Sequence, residues 1–272
     1  MGAHTRELEH DADGLVRIYS DPSAEASPGL VWMHGGGFAM GSVAMPEAHW
    51  VAETLASRGI VVISVDYRLA KEGCRFPAPS DDVLTAWAWT RRNITRLGIH
   101  PERLSIGGAS AGANLAAGAV LRLDERPGSV LPASAVLVYP TLLATQPAPD
   151  AALRALLDEN PDADRFGPAA VRSMYAAYLG DEVDAAPLAA VPGMAHEEHL
   201  ARFPRTIIIN AEIDELRVSG EQFARTLAAA ERSVVVTTQP NTTHGFLNRP
   251  DERAASQAIH AVAEFLHEGG RG

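Results

Sequence analysis

The sequence predicts an α/β protein built on a mostly parallel sheet, and three observations carry that expectation. Short apolar, β-branched runs recur along the 272 residues, helical patterns separate them, and several runs are apolar almost throughout. The last feature suits strands covered on both faces. Strand alternating with helix is the pattern of a parallel sheet with helices packed on each side. The length allows one large α/β domain or two small ones, with a sizeable core.

The strand candidates are residues 14–20, 30–34, 60–66, 103–109, 134–140, 206–212 and 233–239. Helical periodicity covers 46–57, after Pro46, and 111–123, 219–231 and 251–267. Residues 80–97 open with Ser80, Asp81 and Asp82 and stop before Gly98, which reads as an N-cap, an acidic first turn and a terminal glycine. One interval breaks the rhythm. About 65 residues separate Pro140 from Thr206, with helix-like pieces at 149–158 and 168–179, punctuated by prolines at 147, 149, 161, 168, 187 and 192. That is too long for a plain crossover. We therefore read residues 1–272 as a single domain, with 141–200 inserted over one end of the sheet. In open α/β sheets that end, beyond the strand C-termini, is where ligands bind.

Composition excludes some functions. With 34 acids against 23 bases the net charge is −11, which argues against nucleic acid or an anionic membrane as partner and suits a small-molecule substrate. Cys74 is the only cysteine, so there is no internal disulfide framework, and a reducing compartment fits. The first residues, MGAHTRELEHDADG, have neither the basic start nor the apolar stretch of a secretory signal, and Arg6 breaks the myristoylation pattern. No window approaches 18 apolar residues. The expectation is a cytoplasmic protein, compatible with a homodimer.

Residues 103–118, RLSIGGASAGANLAAG, contain Gly108-Ala109-Ser110-Ala111-Gly112, a match to G-x-S-x-G. The pentapeptide alone is weak evidence. Here it lies directly after a strand and before a helix, where the motif places a serine on a sharp, strained turn with its oxygen above the sheet. The helix N-terminus behind it favours developing negative charge. Gly107-x-Ala109-x-x-Gly112 is also a near miss for the dinucleotide fingerprint, but the next strand ends in Tyr139 and Pro140 without the acid that fingerprint needs. No cofactor is expected.

A serine needs a base, and the base needs an orienting group. The strand over 206–212 runs into Asp214, just past its end, with Glu212 and Glu215 as rivals in the same turn; Asp214 is favoured because Glu212 sits closer to the strand. His244 follows the last strand, whereas His260 and His267 lie on the final helix and read as solvated. Three residues in the order Ser110, Asp214, His244, each past a different strand, form a candidate catalytic set. Ester attack also builds an oxyanion, best held by preorganised backbone N–H groups free of side chains. Ala111, after the serine, is one candidate donor. His34-Gly35-Gly36-Gly37, after an early strand, fits the loop that supplies the others.

Together HGGGF (34–38), DYRLA with RFPAPSDD downstream (66–82), GASAGANL (108–115), DELR (214–217) and HGF (244–246) resemble the hormone-sensitive-lipase-like family of bacterial esterases, from about residue 14 to the C-terminus. The resemblance implies an α/β-hydrolase fold with a helical cap and hydrolysis of short- to medium-acyl carboxylic esters. It implies Ser110 as nucleophile, His244 as base, Asp214 as orienting acid, and Gly36, Gly37 and Ala111 as oxyanion donors. It also suggests a structural Arg68–Asp82 ion pair. The chain departs from the family at Ala109, Ala113, Val218-Ser219-Gly220 and Lys71-Glu72-Gly73-Cys74, and has few residues before the first strand. The last departure predicts a reduced N-terminal cap and a more open pocket.

His196-Glu197-Glu198-His199 places its histidines at i and i+3, not the i and i+4 of a zinc-binding helix, and reads as a polar loop without metal. Trp32, Trp50, Trp87 and Trp89 read as packing residues. The reading is a serine carboxylesterase without metal or organic cofactor. The alternatives are an amidase, lactonase or carbamate hydrolase with the same three residues, or a ligand-binding protein on this fold, which the presence of His244 disfavours.

Overall fold

The computed structural model describes residues 9–21, 25–180 and 183–269. Every strand expected from the sequence is present: β2 (Val16–Tyr19), β3 (Ser27–Met33), β4 (Val61–Val65), β5 (Ile99–Ala109), β6 (Ser134–Val138), β7 (Arg205–Ile213) and β8 (Val234–Thr243). The additional β1 (Glu9–Asp11) is a three-residue polar edge strand with no apolar pattern to announce it. They form one sheet in the order β1-β2-β4-β3-β5-β6-β7-β8, parallel from β4 to β8, with β2 antiparallel to both its neighbours. β6 stops at Val138, short of the expected Pro140, because Tyr139 takes a φ of 35° that no strand continues.

Alternation along the strands divides the core into two layers. Val31 and Met33, Ile63 and Val65, and Leu137 face one layer. Leu30 and Trp32, Val62, Val136 and Val138 face the other. The first layer is closed by α2 (Ala78–Arg92), α3 (Ala111–Asp124) and α7 (Arg217–Ala229), the second by α1 (His49–Ala56) and α8 (Arg253–Glu268). Each fully buried leucine, valine or isoleucine contributes about 1.5–3 kcal/mol by leaving water. Trp32, Trp87 and Trp89 are buried and Trp50 packs against the second layer, so all four tryptophans are packing residues.

Helix α2 begins two residues earlier than expected and ends five earlier. Pro77 precedes it, Ser80 lies inside it, and the Ser80 hydroxyl accepts from Arg122 instead of capping. Its C-terminal end is Asn93, whose side chain donates back to the Trp89 carbonyl and stops the helix before Gly98. Arg68 and Asp82 form the expected pair, bidentate at 2.8 Å on both arms. The Arg68 side chain is mostly exposed, so the pair adds at most about 1 kcal/mol.

Between β6 and β7 lie α4 (Ala151–Glu159), α5 (Pro168–Leu179), two 3₁₀ turns and α6 (Glu197–Leu200). Asp150 caps α4 through the Leu153 N–H, and Pro168 starts α5 where its missing N–H costs nothing. The His196–His199 stretch forms the one-turn α6 rather than a loop, with His199 Nδ1 accepting the His196 N–H. Among the described residues, no group of three metal-ligating side chains is found. Helix α5 docks on Phe38 at the end of the glycine loop: the Tyr178 ring stacks on it at 4.0 Å and Tyr175 meets it edge-on at 5.5 Å. Among the described residues, no helix precedes α1. The expectations placed on residues 1–8 lie outside the described residues. No described helix is long and apolar enough to cross a membrane.

Candidate active site

Ser110 is the single residue between β5 and α3, with φ 54° and ψ −117°. Holding a non-glycine residue there costs about 1–3 kcal/mol, a strain that persists only where the surroundings impose it. They do so here by close approach. A Cβ on Gly108 would lie 2.4 Å from the Gly112 carbonyl carbon, and one on Gly112 would lie 2.2 Å from the Met33 oxygen of β3. The two glycines of the motif therefore let α3 press on β3 and drive the turn outward. The Ser110 N–H is anchored to the Val138 carbonyl at 2.9 Å.

His244 follows β8, and Gly245 behind it takes a left-handed φ of 76° that turns the chain into a 3₁₀ segment. His244 Nε2 lies 2.9 Å from Ser110 Oγ, and its Nδ1 lies 2.7 Å from Asp214 Oδ2. Asp214 is fully buried, and its second oxygen accepts the Leu216 N–H at 3.0 Å. The structure thus brings Ser110, Asp214 and His244 together across three strand ends. The rival acids are engaged elsewhere: Glu212 accepts the Asn241 N–H at 2.7 Å, and Glu215 accepts the Phe166 N–H at 2.6 Å. His260 is exposed on α8, while His267 bonds the Arg58 carbonyl instead of being solvated.

The three glycines after His34 differ in purpose. The Gly35 N–H donates to Glu47 Oε1 at 2.7 Å. Gly36 has φ 117°, and a Cβ there would lie 2.1 Å from the Met40 oxygen. Gly37 faces the insert, where a Cβ would meet the Met174 sulfur at 3.3 Å. Among the described residues, the N–H groups of Gly36, Gly37 and Ala111 donate to no backbone or side-chain acceptor. His34 is buried, stacked on Tyr67 at 4.5 Å, and its Nδ1 lies 2.6 Å from the Gly35 carbonyl. A carbonyl only accepts, so Nδ1 carries the proton. Burial lowers the His34 pKa and keeps the ring neutral.

Ser110, His244, Gly36 and Gly37 open on a cavity of about 610 Å³, walled mainly by Met40, Met45, Phe166 and Met174 and edged by Arg165 and Arg249. A depression of about 640 Å³ elsewhere, lined by His196, Glu197, Glu198, Gln222 and Arg225, holds none of these groups. Three contributors carried no local signal in the sequence. Phe166 and Tyr139 meet the His244 ring edge-on at 4.6 and 4.9 Å, and Glu47 accepts the Tyr139 hydroxyl at 2.8 Å. Burial, then the Glu47 carboxyl, pushes the Tyr139 phenol well above its usual pKa, so it remains a donor.

Glu215 gives a pH-dependent contribution to stability. Burial raises its pKa, against the pull of the Phe166 N–H. A raised folded pKa means the native state holds the proton longer than the unfolded chain does, so the group opposes folding above its folded pKa, and that cost vanishes once the pH falls below the ordinary glutamate value of the unfolded chain. Glu215→Gln keeps an oxygen for the Phe166 N–H. It should melt higher than the wild type at pH 7, with the difference shrinking toward pH 4, as read by melting temperature against pH. A difference that grows on acidification would contradict this account.

The strand order, the strained serine turn and the loop-borne histidine and aspartate define an α/β-hydrolase. Comparison with known proteins agrees. A family model described as alpha/beta hydrolase fold matches residues 30–248, and this chain belongs to that family, the hormone-sensitive-lipase-like esterases. It is 33% identical over 269 residues to "Carboxylesterase NlhH" of Mycobacterium tuberculosis, covering 94% of this chain and 81% of that protein. It is 32% identical over 270 residues to an "Arylesterase" of Saccharolobus solfataricus, covering 97% and 83%. Among solved structures, "Bacterial Heroin Esterase" superposes with a TM-score of 0.82 at 29% identity, covering 98% of this chain and 84% of that one.

Proposed function

We propose that this carboxylic ester hydrolase works through Ser110 as nucleophile, His244 as general base and Asp214 as orienting acid, by way of an acyl-enzyme. One observation carries the reading: the continuous Asp214–His244–Ser110 contact, at 2.7 and 2.9 Å, opens on the cavity beside three uncommitted N–H groups. Asp214 on Nδ1 leaves the Nε2 lone pair facing the serine hydroxyl. As Ser110 Oγ bonds to the acyl carbon, its proton passes to Nε2. The carbonyl oxygen becomes an oxyanion and takes hydrogen bonds from Gly36, Gly37 and Ala111. The intermediate then collapses. The C–O bond to the alcohol breaks, and the alcohol leaves with the proton from His244. Water, deprotonated by His244, then attacks the acyl carbon, the bond to Ser110 Oγ breaks, the serine takes the proton back from His244, and the acid leaves.

The insert over 141–200 acts as the cap of this site, since Arg165, Phe166, Ser173, Met174 and Ala177 form one side of the cavity. The thioether and aromatic walls suit an apolar acyl group, and the volume suits a small one. In a series of aryl esters, kcat/KM for the butyrate should exceed that for the palmitate by about tenfold or more, because the palmitoyl chain outruns the cavity and can be seated only by displacing its walls. The matched aryl amide, run alongside, should be hydrolysed far more slowly than the ester. A palmitate preference would remove the short- to medium-acyl assignment, and an amide preference would remove the esterase one.

A further inference from the structure

We propose that Glu47 is a positioning residue of the oxyanion loop, its buried carboxyl group anchoring the Gly35 end of that loop and, through Tyr139, the seat of the His244 ring. The inference rests on the reading of Ser110, His244 and the glycine loop given above. Glu47 is 2% exposed, and among the described residues no lysine or arginine pairs with it. A carboxyl group buried without a cation is unfavourable unless hydrogen bonds replace its water. Both its oxygens are used: Oε1 accepts the Gly35 N–H at 2.7 Å, and Oε2 accepts the Tyr139 hydroxyl at 2.8 Å. Its own backbone is held as well. The Glu47 N–H donates to Asn248 Oδ1 at 3.2 Å, and its carbonyl accepts Trp32 Nε1–H at 2.8 Å. One residue thereby ties the loop after β3, the end of β6 and the turn after His244.

The consequence for catalysis follows from peptide geometry. In a trans peptide the C=O and N–H groups point in opposite directions. The Gly35 oxygen is gripped by His34 Nδ1–H, which aims the Gly36 N–H the other way. The Gly36 oxygen is taken by the N–H groups of Met40 and Ala39, at 2.9 and 3.2 Å, which likewise aims the Gly37 N–H. The peptide before Gly35 is held at both ends: its oxygen accepts the Tyr67 hydroxyl at 2.9 Å, and its N–H donates to Glu47. A Cβ on Gly35 would lie 2.7 Å from Glu47 Oε1, so the carboxyl occupies the space of the missing side chain. On its other arm, Tyr139 stands edge-on to His244 at 4.9 Å.

The test compares Glu47→Ala and Glu47→Gln with the wild type. The glutamine keeps an oxygen for the Gly35 N–H; the alanine keeps none. Losing an oxyanion donor outright costs about 10²–10³ in turnover, so loosening the anchor of the loop that carries two should lower kcat on an aryl acetate by about 10–10² in Glu47→Ala. KM should change less than about threefold, since the ground-state carbonyl uses the loop little. An aryl trifluoromethyl ketone, which forms a tetrahedral adduct with Ser110, should lose affinity by the same factor as kcat/KM, while a non-hydrolysable ether of the same shape binds as before. Glu47→Gln should recover kcat to within about fivefold. Circular dichroism and melting curves establish that each variant is folded. If Glu47→Ala does not fold, Glu47→Gln with Tyr139→Phe carries the test: the first near wild type, the second reduced in kcat alone. The inference is overturned if Glu47→Ala turns over within about twofold of wild type, if ether and ketone weaken equally, or if Glu47→Gln is as impaired as Glu47→Ala. A Ser110→Ala variant assayed in parallel separates the two levels: activity retained there would defeat the underlying mechanism, not this assignment alone.

Discussion

Ser110→Ala should lose ester hydrolysis by about 10⁴- to 10⁶-fold in kcat while remaining folded. The size follows from what is removed and what stays. The Oγ 2.9 Å from His244 Nε2 is the only nucleophilic atom in contact with that nitrogen among the described residues, and the proposed acyl-enzyme needs it. The Gly36, Gly37 and Ala111 N–H groups proposed as oxyanion donors and the cavity remain, so a residual rate above that in water should persist. Alanine inherits the 54° φ and the anchoring of the Ser110 N–H on Val138, so the melting temperature should move little. The paired measurement is labelling by an aryl phosphonate, read by intact mass. The wild type should take up one phosphonyl group at Ser110 with loss of activity, and the variant none. Near-wild-type turnover in Ser110→Ala would sink the mechanism.

Asp214→Asn should cost about 10³–10⁴ in kcat, with little change in KM, because the asparagine has no workable orientation. If its NH₂ faces His244 Nδ1, the imidazole proton is forced onto Nε2, and the lone pair that receives the serine proton is gone. If its oxygen faces Nδ1, the NH₂ faces the Leu216 N–H, two donors meeting in a fully buried site. Glu212→Gln serves as the control. Its carboxyl group holds the Asn241 N–H on the far side of the turn, and glutamine still offers an oxygen there, so activity should stay within about threefold. A Glu212→Gln variant as impaired as Asp214→Asn would move the orienting role off Asp214.

The expected strands recur because they are written in short-range chemistry. Apolar runs such as Val61–Val65 and the helical repeats between them need only neighbouring residues to be read. The strand the sequence hid, β1, is three polar residues paired at the sheet edge, and the helix it hid, α6, is a single turn. Both owe their form to what they lie against. The boundary errors have the same origin. Ser80 has cap chemistry but spends its hydroxyl on Arg122, forty-two residues away.

The order Ser110, Asp214, His244 and the loop of bare glycines were legible because each sits in a local pattern with stereochemical meaning: a strained strand-to-helix turn, acids and a histidine just past strand ends, backbone without side chains. Local pattern favoured Asp214 among three acids in one turn only by its place after the strand, and could not say where an N–H group points. Folding settled both by hydrogen bonds between distant parts of the chain. Asp214 reaches His244 over 30 residues, and Glu47 reaches Tyr139 over 92. Glu47 in sequence is an ordinary acid after a proline; only the closing of the sheet puts its two oxygens between the glycine loop and the histidine. Periodicity and turn chemistry act over a few residues and so could be read in advance. The direction of a hydrogen bond depends on groups that meet only once the chain has folded.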